Sequence, residues 1–435
     1  MSIKNSVAKV RRYLKKNGFW NTIYATIERV FFAYYKDYTY MVPSNEELES
    51  QRNTVFTEKV LISIVVPTYE TKEQHLREMI ESVISQTYAG WELILADASS
   101  TNAVFDVVNT YEDARIVYKK LAKNAGISEN TNQGIMEAKG QYIALLDHDD
   151  LLTPDALFET VSRINKERNE GKLAKVIFSD EDKCNSDGSR FFEPHFKPGY
   201  NKELLFANNY ICHFLVCEAK LMKELLLRKE FDGAQDFDFV LRATSYVNKE
   251  REAKENTSIC HIEKVLYHWR CHENSTAENP ESKMYAYEAG KRAVQAAYDE
   301  IGRSLEVVHG KHLGYYQPLI ENKTQLFAQD EKLGCIGGAV YRGSKIVGGA
   351  MDAYGQVIYQ GLHKKFEGYM NRARLLQSVE AVDIRNILVR EELQPLLEKM
   401  KETTDFKDKE ACREASLEFC EKIRGMGYEI VYWER

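Results

Sequence analysis

The chain has 435 residues, 44% of them hydrophobic and 29% charged, with a formal net charge of −7. These values suit a soluble globular protein of two or three domains and argue against general nucleic-acid binding. The eight cysteines include no C-x-x-C pair, the start carries no cleavable leader pattern, and no run of about 18 apolar residues is present, so reduced thiols and a cytoplasmic location are expected.

Residues 1–58 read as a helical arm and linker. Residues 1–36 hold eight basic side chains (Lys4, Lys9, Arg11, Arg12, Lys15, Lys16, Arg29 and Lys36) against one acid, Glu28. Val7, Val10 and Leu14 recur at helical spacing, as do Ile23, Ile27, Val30 and Tyr34. With Phe19, Trp20, Phe31 and Phe32 interleaved, residues 1–40 suit peripheral contact with an anionic inner membrane surface. A helical arm packed on the protein's own body with a solvated basic face fits equally well.

Residues 59–302 alternate strand and helix. Strands are predicted at Leu61–Val66, Trp91–Ala96, Ile116–Tyr118 and Tyr142–Leu146, separated by helices at Glu73–Gln86, Val104–Tyr111 and Ile127–Ala138. This order predicts a parallel, doubly wound sheet with helices on both faces. There follow a helix (Pro154–Glu167), strands at Lys175–Ser179 and Asn208–Val216, a helix through Tyr246, a strand at Glu263–Tyr267 and a helix at Ser282–Ile301. Residues 303–435 form a smaller α/β region. In it, Gly334–Val347 predicts two strands around a turn, and Ile384–Met400 predicts a mostly helical stretch kinked or divided by Pro395.

The central strand ends in three carboxylates, Asp147, Asp149 and Asp150. Hard oxygen ligands at the carboxyl edge of an α/β sheet suit Mg2+ or Mn2+ holding a phosphate. An acidic turn capping the next helix is the alternative. Asp236, at a helix start, is either a general base or an N-cap. Asp180, Glu181 and Asp182 read as a solvated turn paired with Lys183 or as part of an acceptor site. Trp269 and Arg270 read as packing residues or as a loop closing over a ligand, and His213 reads as a satisfied core histidine.

IVVPTYE (64–70), WELILADASS (91–100), NAGIS (124–128) and LLDHDD (145–150) resemble the nucleotide-binding half of glycosyltransferase family 2. SDEDK (179–183), FKPGY (196–200), FDGAQDFDFVLR (231–242) and VLYHWR (265–270) resemble its acceptor half, especially in enzymes that build bacterial O-antigens and other surface polysaccharides. The resemblance implies a GT-A fold, with a mixed sheet. It also implies inverting, Mn2+- or Mg2+-dependent transfer from a nucleotide-diphosphate sugar to a glycan or lipid-linked acceptor. By the same resemblance Pro67, Thr68 and Tyr69 line the nucleoside pocket, and Asp97 contacts base or ribose. Asp147 and Asp149 form the D-x-D pair, with Asp149 as the direct metal ligand. His268 adds a metal or pyrophosphate contact, and Asp236 is the base. Glu70 stands where Asn is usual and Ala98 where a second Asp is usual, which leaves the base of the nucleotide open. A non-catalytic nucleotide- or carbohydrate-binding subunit and a sugar-nucleotidyltransferase are the competing readings; for the latter, Pro67–Lys72 lacks a glycine-rich phosphate loop. The C-terminal LEFCEKIRGMGYEIVYWER (417–435) echoes FDFVLR…KVLYHWR, with Ser416 in place of Asp236 and Trp433 in place of His268. That echo predicts the remnant of a second transferase unit without catalysis, or else is chance similarity.

Overall fold

The computed structural model describes residues 11, 13–15, 18–31, 34, 36–271 and 284–434. The predicted first arm segment with Val7 and Val10, residue Phe32 and the 282–283 start of the last helix of the first half lie outside them, and so does the side chain of Phe31.

Four strands, β1 (Ile62–Thr68), β2 (Trp91–Asp97), β3 (Ile116–Lys120) and β4 (Tyr142–Leu145), lie parallel in the order β3-β2-β1-β4. Every residue of β1 and β2 is buried, as continuous apolar runs require when both faces of a sheet are covered. Ile62, Ile64 and Val66 pack on one face with Leu76, Met79, Ile80 and Val83 of helix Glu73–Ile84. Val65 points to the other face, with Ile135 of helix Ile127–Glu137. A side chain at Gly134 would meet Val65 at 2.6 Å, so glycine there lets this helix settle directly on the sheet.

The sheet continues with β5 (Leu151–Leu152), β6 (Leu173–Cys184), β7 (Phe191–His195), β8 (Leu215–Glu218) and β9 (Thr257–Arg270), extending the order as β4-β8-β6-β9-β5, with β7 on β6. The β4–β8, β8–β6 and β9–β5 pairs are antiparallel and β6–β9 is parallel, so the whole is the mixed GT-A sheet.

Three predictions in this half need correction. The strand expected to stop at Ser179 runs on to Cys184, so Asp180, Glu181 and Asp182 are buried strand residues and not a solvated turn. Polar character suggested a turn, but partners on neighbouring strands satisfy all three. Apart from an isolated bridge from Asn208 to Tyr315, the stretch before Leu215 is irregular, and only Leu215–Glu218 forms strand. The last strand includes His268, Trp269 and Arg270.

Residues 303–435 carry a four-stranded sheet in the order Gln377–Ser378, Glu429–Tyr432, Leu333–Gly337, Ile387–Val389. Leu333, Ile336, Val431 and Trp433 join the same core as Phe237, Phe239 and Val240, so apolar packing is continuous between the two halves. A hairpin, Val340–Arg342 with Lys345–Gly348, follows Leu333–Gly337, giving three strands where two were predicted. Pro395 does not kink a long helix. It sits in the first turn of helix Gln394–Thr403, where its missing N–H costs nothing, and Ile387–Val389 is strand. All eight cysteines are free.

Helix Phe19–Phe31 packs on the C-terminal half. The Glu28 carboxylate accepts the backbone N–H groups of Glu367 and Gly368, and Tyr24 stacks on His363.

Candidate active site

The carboxyl ends of β1 and β4 open into a cavity of about 1170 Å³. The end of β1 supplies Pro67 and the turn after it Glu70, the turn after β4 supplies Asp147 and Asp149, and helix Gln235–Glu252 supplies Asp236 from its first turn. The structure therefore brings the two D-x-D carboxylates and Asp236 to one cavity. Asp236 lies close enough that its charge helps raise the pKa of Asp147. Asn209 Nδ2 donates to Asp236 Oδ2 at 3.0 Å and fixes the carboxylate plane.

The acidic turn is held from β9. The Arg270 backbone N–H donates to Asp150 Oδ1 at 2.7 Å and its Nε–H donates to the Asp149 carbonyl. Tyr267 O–H donates to Asp150 Oδ2 at 2.5 Å. Burial, then the neighbouring Asp149 and Asp147 charges, hold the Asp150 carboxyl well above the usual carboxylate range. Asp147 is open to the cavity, yet lies deep enough in the concavity that desolvation raises its pKa, with Asp149 adding to it and His213 opposing. Crowded carboxylates with raised pKa values are what a cation site shows before the cation arrives.

His213 departs from the sequence reading. It is not a core histidine: it lines the cavity, and one ligand atom each from Asp147, Asp150 and His213 lie within 4.8 Å of one another. Burial would lower its pKa, but Glu181, with Nδ1 to Oε2 at 3.2 Å, and then Asp147 and Asp150 lift it to about 9. Glu181 also meets His195 at 3.3 Å and Lys197 at 3.4 Å, and despite burial the Lys197 charge, with hydrogen bonds from His195 and His213, holds its carboxyl well below the ordinary range. Alternation along β6 turns its neighbours the other way: Asp180 takes His261 Nε2 at 2.8 Å and Asp182 takes Tyr38 O–H at 2.6 Å. The only sequence signal for His213 was a titratable residue within an apolar stretch.

His268 is the second correction. Its ring is buried between Phe191 and Tyr40, with Nδ1 on Asp182 at 2.5 Å, and it does not reach the cavity lining. In β9 it pairs with Leu151, which turns it away from the carboxylates. Of the predicted nucleoside contacts only Pro67 lines the cavity. Thr68 is buried against Asp97 at 3.3 Å, and Tyr69 is exposed outside it. Asp97 is fully buried, accepting from Tyr118 O–H at 2.8 Å, Lys120 Nζ at 3.0 Å and Ser99 N–H at 3.0 Å. Burial would raise its pKa, but these donors lower it, so it braces the strand ends and does not face the cavity. Glu70 explains its own departure from the family pattern: its longer carboxylate accepts Ser100 N–H and O–H, each at 2.8 Å, stapling the β1 and β2 loops together.

Trp269 and Arg270 resolve differently. Both line the cavity: the Trp269 ring lies 5.7 Å from that of His213, and Arg270 clamps the acidic turn. The far wall was not foreseen. It comes from the arm, through Asn21 and Glu28, and from the C-terminal half, through Lys311, His312 and Tyr315.

The sequence profile described as Glycosyl transferase family 2 matches residues 63–231. A putative colanic acid biosynthesis glycosyl transferase of Escherichia coli K12, WcaA, is 31% identical over 209 residues, covering 46% of this chain and 72% of that protein. The O-antigen biosynthesis protein RfbC of Myxococcus xanthus is 31% identical over 259 residues, 59% of this chain and 19% of RfbC. An uncharacterized protein of Sinorhizobium fredii is 44% identical over 255 residues, 58% of this chain and 27% of its own length. The chain thus spans about a quarter or less of these last two relatives. The crystal structure of Staphylococcus aureus TarS with UDP aligns with a TM-score of 0.41 and 17% identity, covering 55% of this chain and 65% of that one. On its sequence, the chain belongs to glycosyltransferase family 2.

Proposed function

We infer that the protein transfers a sugar, with inversion, from a nucleotide-diphosphate donor to a glycan or lipid-linked acceptor in surface-polysaccharide synthesis. The observation that carries this reading is the shared cavity of Asp147, Asp149 and Asp236 at the carboxyl edge of the sheet. Asp147 and Asp150, which offer carboxylate oxygens within 4.8 Å of one another, and Asp149 in the same cavity fit a divalent ion, Mn2+ or Mg2+: all are hard oxygen donors, and the raised pKa values of Asp147 and Asp150 ask for positive charge. When bound, such an ion offsets the negative charge that develops on the departing nucleoside diphosphate. Arg270 and Tyr267 hold the turn that presents these carboxylates. His213, cationic at neutral pH, adds positive charge where the diphosphate lies. Asp236 takes the proton of the acceptor hydroxyl at a carboxylate oxygen, while Asn209 fixes its plane. Pro67 and the Glu70-stapled loop form the nucleoside side, with Asp97 and Thr68 bracing it from behind.

The three regions, 1–58, 59–302 and 303–435, then serve as arm, transferase and wall. No helix among the described residues is long and apolar enough to cross a membrane. Helix Phe19–Phe31 carries both readings of the arm at once. Its Glu28 face docks on the body, while Phe19, Trp20, Ile23, Ile27 and Val30 fall in an arc of about 100°, in which Trp20 and Val30 are 68% and 67% exposed. This apolar arc, with exposed Lys15 and Arg29 nearby, lies on an anionic bilayer and brings the cavity to lipid-linked acceptors.

The test is release of nucleoside diphosphate from a panel of nucleotide sugars with Mn2+, alongside thermal-shift binding. One donor is expected to raise Tm and to be turned over, and EDTA is expected to abolish both. Pyrophosphate release from a nucleoside triphosphate would instead establish a nucleotidyltransferase, and binding without turnover of any donor a non-catalytic subunit.

A further inference from the structure

The C-terminal half repeats the strand plan of the acceptor half. In the first, β6 is followed by an insertion, the antiparallel neighbour β8, helix Ala219–Leu225, helix Gln235–Glu252, and then β9, parallel to β6. In the second, Leu333–Gly337 is followed by an insertion, the antiparallel neighbour Ile387–Val389, helix Gln394–Thr403, helix Lys409–Gly425, and then Glu429–Tyr432, parallel to the first strand. Phe239 and Phe419 are fully buried in the two long helices, and Tyr267 and Tyr432 in the two closing strands. No counterpart of β1–β4 precedes the second set among the described residues, so it has an acceptor half and no nucleotide half. It also has no base: Ser416 is buried, its Oγ donating to the Cys412 carbonyl at 2.6 Å and accepting the Ile384 N–H at 3.0 Å.

Between the two halves lies a second cleft of about 810 Å³, within the range of about 300–1,000 Å³ typical of small-molecule sites. The first unit contributes Tyr200 and Asn201 of the FKPGYN segment, and the second contributes Ile358, Tyr359, Gln360 and Tyr369. The cleft is built rather than incidental. Asn201 bonds Ser378 in both directions, at 2.8 and 3.0 Å, Tyr369 O–H donates to the Pro194 carbonyl at 2.8 Å, and Tyr359 O–H donates to Gln377 at 2.8 Å. It also adjoins the catalytic cavity, because Tyr34 and Gly368 line both.

We propose that this cleft holds a run of the acceptor saccharide beyond the sugar being extended, so that the second, baseless unit serves as a glycan clamp feeding the first. Tyr200, Tyr359 and Tyr369 together with the exposed amide of Gln360 supply the aromatic and hydrogen-bonding groups that suit the apolar faces and hydroxyl edges of a sugar chain. The shared lining of Tyr34 and Gly368 sets the cleft directly beside the cavity that holds Asp236. The proposal rests on the transferase reading for the identity of its ligand as acceptor, but binding is measured separately from transfer.

The experiment is retention of the full chain on an array of purified bacterial surface polysaccharides and their oligosaccharide fragments, without nucleotide or metal. Wild-type protein is expected to bind at least one glycan class. Ile358→Arg and Gln360→Arg, both at exposed positions, are expected to bind it about tenfold or more weakly, with unchanged Tm and unchanged nucleoside-diphosphate release from the donor alone. Absence of any retained glycan, or equal retention by both variants, would overturn the clamp. Loss of donor turnover in wild type with glycan retention intact would defeat the transferase reading and leave the clamp standing.

Discussion

Arg270 ends β9 with its side chain buried, donating Nε–H to the Asp149 carbonyl and Nη1–H to the Ser186 carbonyl at 2.8 Å. A lysine reaches at most one of these acceptors. Arg270→Lys should therefore cost roughly 1–3 kcal/mol of unfolding free energy for the orphaned carbonyl, read by denaturant titration. It should also weaken metal-dependent donor binding, because the acidic turn loses its clamp. His213→Ala should leave the turn in place but remove a cation: donor affinity is expected to fall, most at low salt, in a thermal-shift titration, and an unchanged affinity would remove His213 from the diphosphate side. At this scale the carboxylates were legible because strand-end acids and a helix-start acid follow local pattern. His213 and His268 were not. Which of two histidines faces a cavity depends on partners far away in sequence, here Glu181, 32 residues from one, and Asp182, 86 residues from the other. The family pattern named His268, and strand pairing with Leu151 turned it inward.

Among the elements, the arm helix has a docked face and an open apolar face. The double variant Trp20→Glu, Val30→Glu should fold normally but lose co-sedimentation with vesicles of phosphatidylcholine and phosphatidylglycerol. Equal sedimentation by both forms would end the membrane assignment. Beside the helix, Glu367 gathers the Nε2 of His312 and the Lys311 ammonium. Burial would raise its pKa, but these two cations outweigh that and hold it at about 2, below its ordinary 4.5. A depressed carboxylate stabilises the fold above its unfolded pKa and loses that contribution as pH falls toward the folded value. Wild type and Glu367→Gln should thus differ in Tm above about pH 4.5 and converge near pH 2. A constant difference across that window would show that the ion pairs contribute nothing. The strands and helices of the nucleotide half were readable because fully apolar runs and 3.6-residue periodicity alternate cleanly. β6 was cut short in the reading because three acids in a row look like a turn until the cross-strand partners are known.

For the whole molecule, the GT-A sheet followed from strand–helix order and motif order. The way the second half closes the cavity did not, since the wall of Lys311, His312 and Tyr315 is set by tertiary docking that no local pattern encodes. The echo at the C-terminus was visible in residues 417–435, and the structure extends the likeness to five elements in the same order and pairing. The account as a whole depends on one division of labour within the large cavity, with donor and metal on the Asp147–Asp149 side and proton removal at Asp236. The measurement that tests it most directly is transfer by Asp236→Asn against wild type, with the donor found by nucleoside-diphosphate release and with donor binding followed in parallel. The account predicts a fall in turnover of roughly 10²–10⁴-fold with donor-induced stabilisation unchanged, whereas Asp149→Ala loses the stabilisation itself. Wild-type turnover by Asp236→Asn would contradict it.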